Sequence, residues 1–294
     1  MYLFICYENA SIFRIKKGER NGFLCDVRIF IDKAKKKHYN NKEASIKEQR
    51  SMNGRIYLDH AATTPLDEQV LKEMLPYLTG TFGNADSPHA EGRKAMAAID
   101  DARDRIAELL HARKNEIYFT SGGTESDNFA ILGAARAKRK AGKNKVILSS
   151  IEHHAALFAG ETLKKDGFEV VYLPVNAGGR VETNALKTVL DDTVALVGIM
   201  AANNETGVKQ PIQELACFAH EQGAVFFSDA VQLAPYEEID VTALGVDMLS
   251  MSSHKFYGPK GCGVLYIKNG VKVEKLVGGG EQERGMRGGY AIHA

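Results

Sequence analysis

Apolar residues along the chain follow two rhythms. Short runs rich in β-branched and aromatic residues occupy positions 116–120, 145–150, 168–173, 194–201, 224–228, 247–252 and 264–267. Their length suits buried strands better than helices. Between them the period changes: residues 88–110 set Met96, Ile99, Ile106 and Leu109 along one helical face, and residues 211–222 repeat that spacing. Gly167 and Gly223 stand where a helix would end, just before the next strand. Strands alternating with helices predict an α/β domain, with a mostly parallel seven-stranded sheet flanked by helices. In such a sheet ligands gather beyond the carboxyl ends of the strands, so the loops after the runs are where chemistry is expected.

Residues 1–51 break this rhythm. They show no sustained period and end in a polar stretch over 42–51, and the regular pattern starts just after Met52. The segment is expected to be an extension preceding a domain over 52–287, with Met52 as a candidate start and Lys47-Glu48 encodable by a purine-rich ribosome-binding sequence. A native N-terminus at Met1 would contradict that expectation.

Composition narrows the class. With 294 residues, 44% of them apolar and 26% charged, the chain has enough apolar surface for a full-sized core. Its apolar runs fall far short of the roughly 20 residues that cross a bilayer, and the apolar opening lacks a basic flank and a cleavage site. No membrane association is expected. Four cysteines, Cys6, Cys25, Cys217 and Cys262, show neither pairing nor metal-ligand spacing. That pattern points to a cytoplasmic protein without structural zinc. The net charge of +1 hides an asymmetry, since residues 1–51 carry 12 Lys and Arg against 6 Asp and Glu, while the rest is acidic. The basic run at 33–37 reads as a solvated segment, so no direct contact with nucleic acid is expected.

Candidate chemistry lies in five loops. Ser121-Gly122-Gly123-Thr124-Glu125 joins a strand to a helix, where glycines and free N–H groups suit an anion such as a phosphate. Its spacing matches neither the dinucleotide fingerprint nor the lysine-containing nucleotide loop. Glu152-His153-His154-Ala155 follows the second run; adjacent histidines seldom share one ion, and stacking of an imidazole on a flat cofactor is the better functional reading. Asn203-Asn204-Glu205 offers amide donors. Asp229-Ala230-Val231-Gln232 places a carboxylate at the mouth of an apolar strand, as a helix cap or as the partner of a protonated ring nitrogen. Ser253-His254-Lys255-Phe256-Tyr257-Gly258-Pro259 follows the sixth run, and a lysine there is costly unless it has a partner or a task such as Schiff-base formation. Lys260 reads as a snorkelling surface lysine.

Taken in that order, the loops resemble those of the cysteine desulfurases, within the class V aminotransferases of pyridoxal-phosphate fold type I. The resemblance runs from about Tyr57 to Arg287. It rests on Tyr57-Leu58-Asp59-His60-Ala61-Ala62-Thr63-Thr64-Pro65, residues 120–125, Glu152-His153-His154-Ala155, Ala202-Asn203-Asn204-Glu205, Ser228-Asp229-Ala230-Val231-Gln232, residues 252–261 and Gly278-Gly279-Gly280. It implies the large domain of that fold, with the small C-terminal domain largely missing and residues 288–294 as a divergent tail. It further implies that pyridoxal 5′-phosphate is bound with Lys255 as the Schiff-base lysine, Asp229 on the pyridine nitrogen, Gln232 donating to the phenolic oxygen and His153 stacked on the ring. Gly123, Thr124, Ser252 and His254 would hold the phosphate, and Asn204 would face the substrate side. The activity implied converts L-cysteine to L-alanine and passes sulfur to an enzyme thiol, for iron–sulfur clusters or thiolated tRNA. A sulfur-acceptor protein and a homodimer are the partners implied.

The pattern departs from the family after Arg287. Gly288-Gly289-Tyr290 stands where Gly-Thr-Glu-Asn would follow a small residue, with Tyr290 replacing a threonine that would reach a neighbouring subunit's phosphate. No catalytic-cysteine loop or carboxylate-gripping arginine is identified, so the chain is expected to be impaired as a desulfurase. The alternatives are a cofactor-binding remnant without turnover, another class V enzyme such as a selenocysteine lyase or aminotransferase, and a basic-arm interaction protein.

Overall fold

Residues 57–289 are described in a computed structural model of the chain. The expectations placed on residues 1–51, Met52 and Tyr290 fall outside the described residues. The sheet and all residues discussed below lie in the unit Ala61–Ala294.

Seven strands form one sheet: β1 (Ile117–Thr120), β2 (Lys145–Ser149), β3 (Glu169–Leu173), β4 (Val194–Gly198), β5 (Val225–Asp229), β6 (Met248–Ser252) and β7 (Gly263–Ile267). Their order is β1-β7-β6-β5-β4-β2-β3. The four pairings from β3 to β6 are parallel, and β7 runs antiparallel to both β6 and β1. The helices are α1 (Glu68–Thr79), α2 (Ala90–Leu109), α3 (Gly123–Arg139), α4 (His154–Lys165), α5 (Thr183–Val189), α6 (Ile212–Glu221) and α7 (Val241–Leu244). The mostly parallel sheet flanked by helices is therefore as expected.

Side chains alternate across the sheet with the period of two that strands impose. Val146, Leu148, Leu196, Val225, Phe227 and Met248 pack with α3 and α4 residues such as Phe129, Ile131, Ala156 and Leu163. Ile147, Val197, Phe226 and Leu249 face the other way, toward Leu215 and Ala219 of α6 and Val241 of α7. Near-continuous apolar strands follow from this, because both faces are covered. Gly167 and Gly223 end α4 and α6 at positive φ, as their positions suggested.

One helical expectation changes, and one helix had no counterpart in the sequence pattern. Ile99 and Ile106 of α2 pack on the core, but Leu109 is 73% exposed and its neighbour Leu110 is buried instead. The helix turns this way because Arg103 is buried, lying over the Phe119 ring and making a two-pronged ion pair with Glu283 at 2.8 and 2.9 Å. Helix α1 was not foreseen. Leu71, Leu75 and Leu78 of α1 are exposed, and Met74 is its buried side chain, so its apolar spacing carries little core signal.

Candidate functional site

The carboxyl ends of β5 and β6 and the amino end of α3 meet on one sheet face. Asp229 and Ser250 are register partners in neighbouring parallel strands, on the same face as Phe227 and Met248, and α3 covers that face. The turn after β1 feeds α3 through Gly122, whose φ of 148° is open to glycine. Gly263 of β7 sits beneath it, where an added Cβ would lie 2.5 Å from the Gly122 Cα. This close approach lets the turn lie over the sheet edge.

A cavity of about 340 Å³ opens at that turn, lined among others by Gly123, Thr124, Ser252, His254 and Thr63. The first N–H groups of α3 have no partner within the helix, and they lend the cavity a positive end. Glu125 lines the cavity as well, with its carboxylate engaged by other bonds. Its carboxylate accepts from the Ser121 N–H at 2.9 Å and from Arg287 at 2.5 Å, and these bonds hold it below the usual carboxylate range against the effect of burial. Arg287 thus ties the 278–289 segment to the turn. Lys260 is exposed as expected, yet it lines the cavity too.

Lys255 lies on the short turn Ser253–Lys255 just after β6. Its Nζ donates to the carbonyls of Ala61 at 2.6 Å and Ala62 at 2.9 Å. Gln232 Nε2 donates to the same Ala61 carbonyl at 2.8 Å. The Ala61 segment is held in turn by Thr64, whose N–H and hydroxyl both donate to the His254 carbonyl at 2.9 Å. The Thr64 hydroxyl also accepts from the Tyr257 N–H at 2.7 Å. His254 Nδ1 is 3.1 Å from the Thr63 hydroxyl, and burial pushes the imidazole below its usual range, helped by Lys255 and Lys260.

Asp229 is buried, and its Oδ1 accepts the Val231 N–H at 2.8 Å. Burial raises its carboxyl, while the Val231 bond, His153, Lys255 and Ser250 oppose the rise. The cap reading and the ring-partner reading of Asp229 are therefore compatible, because one oxygen serves the turn. His153 caps α4, its Nδ1 accepting from the Ala155 N–H at 3.2 Å, and its ring stands 6.1 Å from that of His154. Asn204 is half-buried beside Asn203, which organises the loop: its Oδ1 accepts from Thr206 and Glu205, and its Nδ2 donates to the Ile151 carbonyl. No cluster that would hold a metal ion occurs among the described residues.

Sequence reading assigned no role to Thr63, Thr64, Asp127, Glu152 or Ser250. The last three are buried under the site. Ser250 and Ser252 were visible as polar residues two apart in an apolar strand, which puts both on one face, and Asp127 as an acid entering an apolar helix. Their convergence was not visible, since it depends on how α3 lies on the sheet.

The donor set fits a phosphate-bearing pyridine. Backbone N–H groups and hydroxyls stand at one end, with a buried carboxyl and a primary amine at the other. The mostly parallel seven-stranded sheet with its flanking helices is that of pyridoxal-phosphate fold type I. The aminotransferase class-V model matches residues 56–289, and the chain belongs to that family, whose members depend on pyridoxal phosphate. It is 49% identical over 236 residues to the cysteine desulfurase IscS of Clostridium botulinum, covering 80% of this chain and 59% of that protein. Among solved structures, a NifS-like protein superposes with a TM-score of 0.78 at 39% identity, over 80% of this chain and 65% of the other. SspA in complex with cysteine gives the same TM-score and identity over 81% and 69%. The chain thus spans about three fifths of the curated relative it matches. Among the described residues, no helix is long and apolar enough to cross a membrane.

Proposed function

We propose that residues 52–287 form the cofactor domain of a cysteine desulfurase, between the 1–51 extension and the 288–294 tail. In this reading Lys255 carries the cofactor aldehyde and Asp229 keeps a proton on the pyridine nitrogen. Gln232 donates to the phenolic oxygen and His153 covers the ring, while Gly123, Thr124, Ser252 and His254 hold the phosphate. Asn204 faces the substrate. Bound pyridoxal phosphate supplies an electron-withdrawing ring for chemistry at a substrate amino carbon. The rest is done by the chain: burial of Asp229 leaves it few partners besides the ring N–H, and the Ala61 and Ala62 carbonyls orient the Lys255 amine. The overall conversion would take L-cysteine to L-alanine, the sulfur passing to a thiol as a persulfide and then to an acceptor protein. A homodimer in a reducing cytoplasm is the setting we assign.

The observation that carries this reading is the convergence of Lys255, Asp229 and the amino end of α3 on one sheet face. The cysteine bound in the SspA structure favours that amino acid as substrate. For the 294-residue chain itself we expect cofactor binding without sulfide release. Of the two cysteines among the described residues, Cys217 is exposed on α6, on the opposite face of the sheet from α3, and burial pushes the Cys262 thiol up, so neither of these is poised as a sulfur acceptor. Purified protein given pyridoxal phosphate should show a visible absorbance band that Lys255→Ala loses. Absence of that band overturns the cofactor assignment. Steady sulfide release from cysteine by the unaltered chain overturns the second expectation alone.

A further inference from the structure

After the last strand, residues 278–289 return to β1, and their side chains grip the chain on both sides of the 121–125 turn. The two ends of this segment meet, the Gly288 N–H donating to the Val277 carbonyl at 3.0 Å. A Cβ on Gly288 would fall 2.6 Å from the Gly279 Cα, so the closure needs glycine. Between these ends Glu283 and Arg284 stand consecutively at φ of 48° and 57°, a left-handed pair that residues with side chains rarely adopt. Such a backbone persists where surrounding contacts fix it.

Those contacts are with β1. Among the described residues β1 pairs with β7 alone, and the backbone groups of Ile117 and Phe119, two residues apart, point to one edge. Glu283 Oε2 accepts the Phe119 N–H at 3.0 Å, and Arg284 donates to the Ile117 carbonyl at 2.8 Å. Arg103 donates to that carbonyl at 2.6 Å as well as to Glu283, so three side chains serve the free edge as another strand would.

The second grip lies one helical turn's length further along the segment. Arg287 Nε and Nη2 donate to the two Glu125 oxygens at 2.5 and 3.1 Å, and Glu125 also accepts the Ser121 N–H at 2.9 Å. The turn is therefore tied just before it starts, at Phe119, and where it ends, at Glu125. A phosphate at the amino end of α3 is held by several N–H groups at once, and their aim depends on the backbone of the turn. Fixing that backbone beforehand removes the ordering cost when the ligand arrives.

We propose that Glu283 and Arg287 are positioning residues for the phosphate cradle, holding the 121–125 turn from both sides in the shape that receives the cofactor phosphate. The inference rests on the assignment of that phosphate to the turn.

The test measures equilibrium binding to the full chain of pyridoxal phosphate and of pyridoxal, which has the ring and aldehyde but no phosphate. Glu125→Ala cuts the Arg287 grip. It also removes a negative charge from the cavity wall, so electrostatics alone would tighten phosphate binding. Lost positioning acts the other way: pyridoxal phosphate should bind about tenfold more weakly, with pyridoxal affinity unchanged. Arg103→Met combined with Glu283→Met cuts the other grip without stranding a buried charge, and should have the same effect. Leu186→Ala, in the core on the side of the sheet away from α3, should lower stability and leave both affinities alone. Tighter or unchanged binding of pyridoxal phosphate in Glu125→Ala, or in the double variant, overturns the proposal. So does an equal loss of both ligands, or a like loss in Leu186→Ala. If the unaltered chain binds pyridoxal as tightly as pyridoxal phosphate, the phosphate assignment fails and the proposal with it, a result that shows before any residue is replaced.

Discussion

At one end of the site, residues 121–125 work with backbone N–H groups, glycines and hydroxyls at an open cavity. At the other end, Asp127, Glu152 and Asp229 lie side by side in the interior, each with very little exposed surface. The first end gains its pull on an anion from geometry that costs little in water. The second holds acids where ionisation is expensive, so the protonation state of each is set by its neighbours. A phosphate and a ring nitrogen call for these two environments, and the sheet supplies both by placing a turn over its edge and a strand end under a helix.

The contrast should appear most strongly as a pH effect at the buried end. Glu152 Oε1 accepts the Ser149 hydroxyl and the Met200 N–H at 2.7 Å, while among the described residues Oε2 finds no hydrogen-bond partner. Burial pushes this carboxyl up to about 8. A raised carboxyl favours the fold fully below the unfolded value and loses that contribution as pH rises to the folded one. Stability should therefore decline between about pH 4.5 and about 8, with an upper limit of about 1.4 kcal/mol per pH unit. Glu152→Gln should flatten that decline in denaturant titrations at several pH values; an unchanged slope would show that Glu152 is ionised in the fold.

Arg287→Ala tests the link between the 278–289 segment and the open loop. The Arg287 and Glu125 side chains are each 13% exposed, so losing one charge strands the other. A cost of about 1.5–3 kcal/mol is expected, read as a lower unfolding midpoint. Glu125 is held below its usual range, so this penalty should be present at neutral pH and fade as pH falls through the carboxylate range. A penalty that persists in acid would point to lost packing instead.

The smallest effect belongs to the solvent-facing hydroxyl. Ser121 donates to Glu125 at 2.5 Å from an exposed position, and Ser121→Ala should cost about 0.5 kcal/mol at most, with cofactor retention nearly unchanged. A large loss of cofactor would mean that this hydroxyl, and not the backbone alone, grips the phosphate.

The open end was legible in the sequence because it is local: a strand, two glycines and a helix start are consecutive residues. The strands were legible for a related reason, since a sheet covered on both faces leaves continuous apolar runs. What could not be read depends on distant pairs. Leu109 points outward and Leu110 inward because Arg103 reaches Glu283, a partner far along the chain. Lys255 could be singled out, but not the Ala61 and Ala62 carbonyls that receive its amine. The bond from the Ser250 hydroxyl to Asp127 joins a strand to a helix, and no spacing in the chain records it.

The sheet order has a consequence for how the protein is made. Among the described residues, strand β1 borders β7 alone, and β7 emerges from the ribosome after the other six strands. During synthesis β1 and the glycine turn that follows it have no neighbour to pair with, whereas β2 to β6 can assemble as they appear. The dry acids can thus be in place while the anion cradle is still waiting for its partner strand. Arrival of the cofactor would then favour the last step of assembly by binding the finished cradle and not its precursor.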